Sequence, residues 1–398
     1  MKNVSAWICV ILIVFGMKTV SAFESGGIDI HGFISQGYLL SDKNNYLGKS
    51  GDGSFQFNEV GINFSKELTE NLRLGIQFFS RDLGEIGNNE VEIDWAYGDY
   101  HWKDWFGFRV GILRQAHGFY NELRDLDMLR TSVLLPQSVY AESGRDLVGR
   151  DFISRIQGAS IYGEIPMKAA GSLSYMLMIG GKNIGNDSAV AKWTQAAGTW
   201  TVSDIDSGTF YNGKLQWNTP LNGLRFGFTA SKSTDIRLNL MTKAQTAMVN
   251  DISEYYSYVL SAEYSWKDLV ISAEYMKHKK DSEIIGMAAP PHPVCPEAYY
   301  VSVSYRFTDW FEMGAYYSEF YYNEDDKNGE NFKLIRMPDY LAWQKDFALS
   351  TRFDINKSLT FKLEGHVIDG ATQLLRQENP DGFEKSWYLF AAKISFNF

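Results

Sequence analysis

SWYLFAAKISFNF, residues Ser386 to Phe398, ends the chain on an aromatic residue. At a repeat of two, Tyr388, Phe390, Ala392, Ile394, Phe396 and Phe398 share one face, and Leu389, Ala391, Lys393, Ser395 and Asn397 share the other. A strand so apolar on one face calls for an apolar surround. Water-soluble chains more often end in a few frayed polar residues. Taken alone, the stretch could equally be the edge strand of a soluble sandwich, and the rest of the chain decides between the two.

At the other end, Met1 to Ala22 has the layout of a secretory signal: Lys2, an apolar run from Trp7 to Phe15, and the small-residue site Val20-Ser21-Ala22. Residues 1–22 are thus expected to be removed on export, leaving 23–398 as one domain. Beyond the signal no window approaches the roughly 18 apolar residues of a spanning helix, so any membrane crossing would fall to strands. Cys9 lies in the signal and Cys295 is the remaining cysteine, which rules out an intramolecular disulfide. Aromatic residues make up 15% of the chain, with 35 Gly against 9 Pro, a mixture suited to twisted strands with aromatic rims. The net charge of −10 argues against nucleic acid as a partner.

The rhythm between the two ends fixes the architecture. Short polar connections occur at Thr69 to Asn71, Lys103 to Trp105, Pro166 to Ala169, Thr219 to Gly223, Lys267-Asp268, Thr308-Asp309 and Asn356 to Ser358. Longer irregular stretches alternate with them, at 41–53, 82–89, 116–152, 181–208, 234–252, 280–297, 323–339 and 369–384. Seven short and eight long connections join sixteen strands and place both termini on the short-turn side. The strands between them alternate, as in Leu72, Leu74, Ile76 and Phe78 against Arg73, Gly75 and Gln77. Charge on the lipid side of such a wall costs roughly 2–4 kcal/mol at mid-bilayer, so its near absence there is informative. Trp105, Phe106, Trp217, Trp266, Trp310 and Phe311 sit beside the short turns, as a girdle would. The expected fold is therefore all-β, a 16-stranded antiparallel transmembrane β-barrel, with Phe396 and Phe398 on the strand that closes it.

The terminal strand resembles the closing strand of Gram-negative outer-membrane barrels. The chain as a whole resembles proteobacterial porins related to the phosphate-selective porin O and P group, on the strength of His31-Gly-Phe-Ile-Ser-Gln-Gly-Tyr38, Glu90-Val-Glu-Ile-Asp-Trp-Ala-Tyr97, Tyr120-Asn-Glu-Leu-Arg-Asp-Leu-Asp127 and Leu129 to Tyr140. The resemblance implies an outer-membrane location, a passive channel for small hydrophilic solutes or ions, contact with outer-membrane lipid and lipopolysaccharide, and a homotrimer. It also implies that the third external loop, 116–152, folds inward as a constriction. No lysine cluster of the kind expected in the phosphate-selective members is present, so anion specificity is not carried over.

Within that loop Glu122, Arg124, Asp125, Asp127, Arg130, Arg145 and Arg150 are the candidate constriction residues, with Arg73, Arg109, Glu92 and Asp94 on the lumen wall. Opposed charges at a narrow aqueous passage orient polar solutes; the competing role is to pin the loop to the wall. The acidic run Asn323 to Asn331 is a candidate cation site or an ordinary solvated loop. The six histidines lack metal-ligand spacing, His292 near Cys295 included, and neither a Gly-x-Ser-x-Gly elbow nor a phosphate-binding glycine loop occurs. No catalytic residue, metal or cofactor is expected, and the chain is read as not an enzyme. The alternatives are a solute-specific channel, a plugged barrel acting as a surface receptor or adhesin, and a barrel lipase.

Overall fold

The computed structural model describes residues 23–25, 27–84, 86–142, 149–186, 188–195, 198, 200–285 and 292–398; the signal segment 1–22 lies outside them. Sixteen strands form the wall. They are β1 (Ile28–Ser41), β2 (Phe57–Thr69), β3 (Leu72–Leu83), β4 (Ile86–Lys103), β5 (Phe106–Arg114), β6 (Arg155–Pro166), β7 (Ser172–Gly181) and β8 (Thr209–Asn218). The other half comprises β9 (Leu224–Thr234), β10 (Ala247–Trp266), β11 (Leu269–Ile285), β12 (Glu297–Thr308), β13 (Phe311–Tyr321), β14 (Trp343–Asn356), β15 (Leu359–Gly370) and β16 (Ser386–Asn397). Each pairs antiparallel with its neighbours, and β16 pairs with β1 from Phe33 with Asn397 to Ser41 with Leu389, so the sheet closes on itself. Phe398 and Gly32 exchange two backbone hydrogen bonds of 3.0 Å at the seam. Closure removes the unpaired edges that an open sheet would present.

All seven short connections fall where the sequence puts them, to within a residue or two. The long connections need two corrections. At 82–89 Leu83 pairs directly with Ile86, and the expected loop is a tight turn. Asn88 and Asn89 adopt φ values of 58° and 60°, which asparagine tolerates, so the glycine- and asparagine-rich stretch continues the ladder through a bulge. At 234–252 the chain forms a second ribbon instead of a loop: Ile236–Thr242 pairs with the start of β10 on one side and with Trp200–Asp206 on the other.

The two faces divide as the alternation requires. Ile34, Leu74, Val110, Leu177, Leu260, Val301, Leu349 and Phe390 are exposed on the outside. Ser35, Gln77, Asn212, Ser272, Glu274, Lys362, Glu364 and Lys393 are buried on the inside. Trp102, Trp105, Trp217, Trp266 and Trp310 are exposed near the short turns, and Phe311, Phe353 and Phe361 stack in sequence beside Trp310. Several inward rings lie flat over glycines of the neighbouring strand, Phe33 on its direct partner Gly61 and Phe57 on Gly37. A glycine lets the ring cover the backbone and pin the register.

A Cβ at position 61 would sit 2.4 Å from the Phe33 ring. Gly61→Val is therefore expected to destabilise the barrel by about 1–3 kcal/mol. The temperature at which the detergent-refolded protein loses its compact electrophoretic migration should drop, while Gly365→Ala, with open space around its Cβ, should leave it unchanged.

Candidate functional site

The connection between β5 and β6 starts from Gln115, whose N–H donates to Ser154 O at 2.9 Å. It then turns through two short 3-10 segments, Asn121–Leu123 and Asp127–Leu129, and rejoins the wall through the helical turn Arg150–Ile153. So long and irregular a path leaves many backbone groups without local partners, and inward side chains of distant strands supply them. Gly118 N donates to Thr229 on β9 at 2.9 Å, and Phe119 N to Glu274 on β11 at 2.8 Å. Val133 N and Leu134 N both donate to the Glu364 carboxylate on β15, each at 2.9 Å. Lys362 Nζ donates to Asp127 O and Ser132 O, Arg352 Nη1 donates to Met128 O at 2.7 Å, and Thr131 donates to Glu312 on β13.

Most of the carboxylates and cations that do this are themselves buried, and each is held by ion pairs or by several hydrogen bonds, because a lone buried charge would be costly. Asp127 accepts from Lys393 at 2.7 Å, from Arg130 at 2.7 Å and from Ser395 at 2.9 Å, and Lys393 also pairs with Glu59. Glu364 additionally meets His366 at 3.1 Å, and His366 meets Asp346 at 3.0 Å. Glu274 accepts from Tyr140, Tyr300, Ser261 and the Phe119 N–H, which saturates it.

A second network gathers three of the sequence-predicted loop residues, Arg124, Asp125 and Arg150. Arg150 pairs with Asp125 at 2.6 Å, Arg114 bridges Asp125 and Asp94, and Glu142 takes Arg81 at 2.6 Å, Arg124 at 2.7 Å and Arg150 at 3.5 Å. Arg124 is buried and also donates to Asn121 Oδ1 and Tyr140 O. Glu122 pairs with Lys214 on β8 at 2.5 Å. Burial opposes ionisation of Asp125, but Arg150, Arg114 and Arg124 outweigh it and hold the carboxyl well below its ordinary range. Asp127, facing Lys393, Arg130 and Lys362, and Glu142, facing Arg124, Arg150 and Arg81, are likewise depressed against burial. Burial lowers His117 to about 4, with Arg124 and Lys182 adding to it against a hydrogen bond to Val139 O, so it is neutral at physiological pH.

Arg145 lies outside the described residues. The wall candidates stand apart from one another: Arg109 pairs with Asp99 at 3.0 Å and lies over the Tyr162 ring, Glu92 pairs with Arg155, and Arg73 donates to Ser65 at 2.8 Å. Of the four, Asp94 alone joins the loop network. Sequence reading missed Arg114, because strict alternation puts it on the outer face with Phe108 and Val110. It also missed that Asp94 is the extra residue of a bulge between the Gln77–Trp95 and Phe78–Ile93 pairs. The acidic run at 323–331 is used internally: Asp326 caps the helix Glu330–Leu334 through Glu330 N and Asn331 N, Glu324 pairs with Lys277, and Lys327 with Glu297. Among the described residues no group of three potential metal ligands occurs.

Between the loop and the wall a cavity of about 530 Å³ remains. Its wall side carries Arg225 with Glu263, and Arg306 with Glu312, at 2.9 and 2.8 Å, together with Arg352 and the hydroxyls of Ser272 and Ser302. Its loop side presents Arg130 and the exposed Leu123 and Leu129.

Solved structures that superpose on this chain include an outer-membrane porin and an outer-membrane channel. An anion-selective porin from Comamonas acidovorans superposes with a TM-score of 0.56 at 12% identity, covering 93% of this chain and 99% of that one. The DcaP channel of Acinetobacter baumannii gives 0.56 at 9% identity over 95% and 100% of the two chains. Salmonella typhi OmpF, solved with daunomycin, gives 0.58 at 13% identity over 95% and 100%. The chain has the fold of these barrels. No protein-family profile and no curated protein matches the chain in sequence, so the likeness is one of fold.

Glu142→Gln would leave Arg81, Arg124 and Arg150 facing a neutral group and is expected to loosen the loop by about 3–5 kcal/mol. Hydrogen–deuterium exchange should rise across residues 116–142 and stay low in the wall. Because the folded-state values of Asp125, Asp127 and Glu142 lie below their ordinary 3.8 and 4.5, their stabilisation is fully present above that range and is lost as pH falls through the lower values. Loop protection should therefore be flat from about pH 8 to about pH 5 and decline only in stronger acid.

Proposed function

We propose that the protein is an outer-membrane porin, a passive diffusion channel for small hydrophilic solutes or ions, exported by its first 22 residues. The observation that carries this reading is the closed sheet with an apolar outer face and a charged inner face that still encloses open space. A cylinder of this kind satisfies every wall hydrogen bond internally, which lipid demands of any spanning structure. The described part of the third long loop, 116–142, lies across the bore, held by β9, β11 and β13 to β16, and sets its width. Arg124, Asp125, Asp127 and Arg150 act as the pins of that loop. Arg130, Arg225, Arg306 and Arg352, set against Glu263 and Glu312, are the charges that passing solutes meet. Transport needs no catalytic step: bore and fixed charge sieve and orient the solute.

The outer girdle faces lipid, and the tyrosine- and lysine-bearing outer surface above it, with Tyr256, Tyr275, Lys277 and Lys279, faces lipopolysaccharide. A homotrimer is the assembly we favour, one relative in fold, Vibrio cholerae OmpT, having been solved in a trimer form. Kinship with the phosphate-selective O and P group rests on the motifs quoted above. The buried loop residues Val133, Leu134 and Tyr140 favour one second reading, a plugged barrel serving as a receptor.

Single-channel recording in planar bilayers separates the two. Discrete ohmic steps are expected, and a well-folded barrel that never conducts would establish the plugged reading. In a salt gradient, Arg225→Gln with Arg306→Gln should move the reversal potential toward the cation limit. Arg124→Ala should leave ion preference unchanged while making the current noisier, as a pin would.

A further inference from the structure

At the long-loop end a second cavity, of about 470 Å³, lies among the external connections. Its walls come from the helix Ala189–Gln195, the loop-side ends of β10 and β11, the 322–341 connection and the 371–385 connection. Four aromatic side chains line it, Trp193, Tyr322, Phe332 and Phe383, over a floor that includes the buried Leu238 and Leu374. Lys280 and Arg376 also line it, and no carboxylate is among the described lining residues. That composition departs from the cavity beside loop 116–152, where Arg225 and Arg306 each face a carboxylate. Arg376 is exposed and makes no ion pair among the described residues. Asn250 Oδ1 also borders the space, buried and without a hydrogen-bond partner among the described residues.

We propose that this cavity is a capture site for small aromatic carboxylates. An aromatic body removes apolar area from water against the four rings and the aliphatic floor. Its carboxylate takes a charge-assisted hydrogen bond from Arg376, the stronger for having no competing anion in the site. A hydroxyl or amino substituent on the ring would satisfy Asn250 Oδ1, which otherwise stays unpaired. Polar sites buried in apolar walls discriminate by what they leave unsatisfied, so an aliphatic acid lacks the body and an aromatic amine carries the wrong charge. That such a site feeds a channel rests on the function proposed above; binding at the site does not.

The test is equilibrium dialysis of radiolabelled benzoate against the refolded, heat-modifiable full-length protein in detergent, with acetate and benzylamine as competitors. Saturable binding that neither competitor displaces at equal concentration is expected. Arg376→Gln, at an exposed position, should weaken benzoate binding about tenfold while leaving the barrel folded. Absence of saturable binding, equal displacement by acetate or by benzylamine, or unchanged affinity in Arg376→Gln would each overturn the proposal. Since dialysis reads binding without conduction, a barrel that binds benzoate but gives no current would refute the channel and spare the site. Discrete current steps without benzoate binding would do the opposite.

Discussion

Backbone hydrogen bonding is the constraint on which everything else depends. Each wall strand has donors and acceptors along both sides, and the chain satisfies them by bringing β16 back to β1 and exchanging the last two bonds between Phe398 and Gly32. Once the ring is shut, the outside can be almost purely apolar and the inside almost purely polar. Gly32, Gly37 and Gly61 serve that closure locally, since Phe398, Phe57 and Phe33 occupy the space their side chains would need.

The same logic governs the interior. A connection as long as 116–152 cannot satisfy its own backbone, and the wall completes it with ionised side chains: Glu364 receives two N–H groups, while Lys362 and Arg352 donate to carbonyls. Buried ions are tolerable there because they come in sets, Lys393 with Asp127 and Glu59, Arg150 with Asp125 and Glu142. Such sets fix geometry more than they add stability. The charges near the short turns, around Arg225 and Arg306, are left beside open space instead.

Strand number, turn positions and the two faces of the wall were legible in the sequence, because a repeat of two and a polar turn are local signals. Tyr388 and Phe390 facing out with Lys393 facing in is readable from thirteen residues. What was not legible depends on departures from that repeat. The left-handed Asn88 and Asn89 kept the ladder going where composition alone suggested a loop, and the bulge at Asp94 brought that residue to Arg114. Residues 234–252 carry turn-forming polar residues yet pair, because Asp235 and Gln245, each at φ 60°, turn the chain back on itself. Partners across the barrel were invisible for a different reason: that Asp127 meets Lys393, 266 positions away in the chain, follows from closure and from nothing near Asp127 itself.

The uneven height of the wall has its own consequence. β10 and β11 run for 20 and 17 residues, against the 9 to 12 of β5 to β9, and the ribbon of Ile236–Thr242 and Trp200–Asp206 is stitched to the side of β10. At about 3.3 Å per residue, β10 measures roughly 65 Å end to end, more than any oily layer requires even at a steep tilt. The arc of β10 and β11 therefore rises above the low arc of β5 to β9. An approaching molecule meets a lopsided collar first, which shields one flank of the opening from bulky particles and leaves small ones a side entrance.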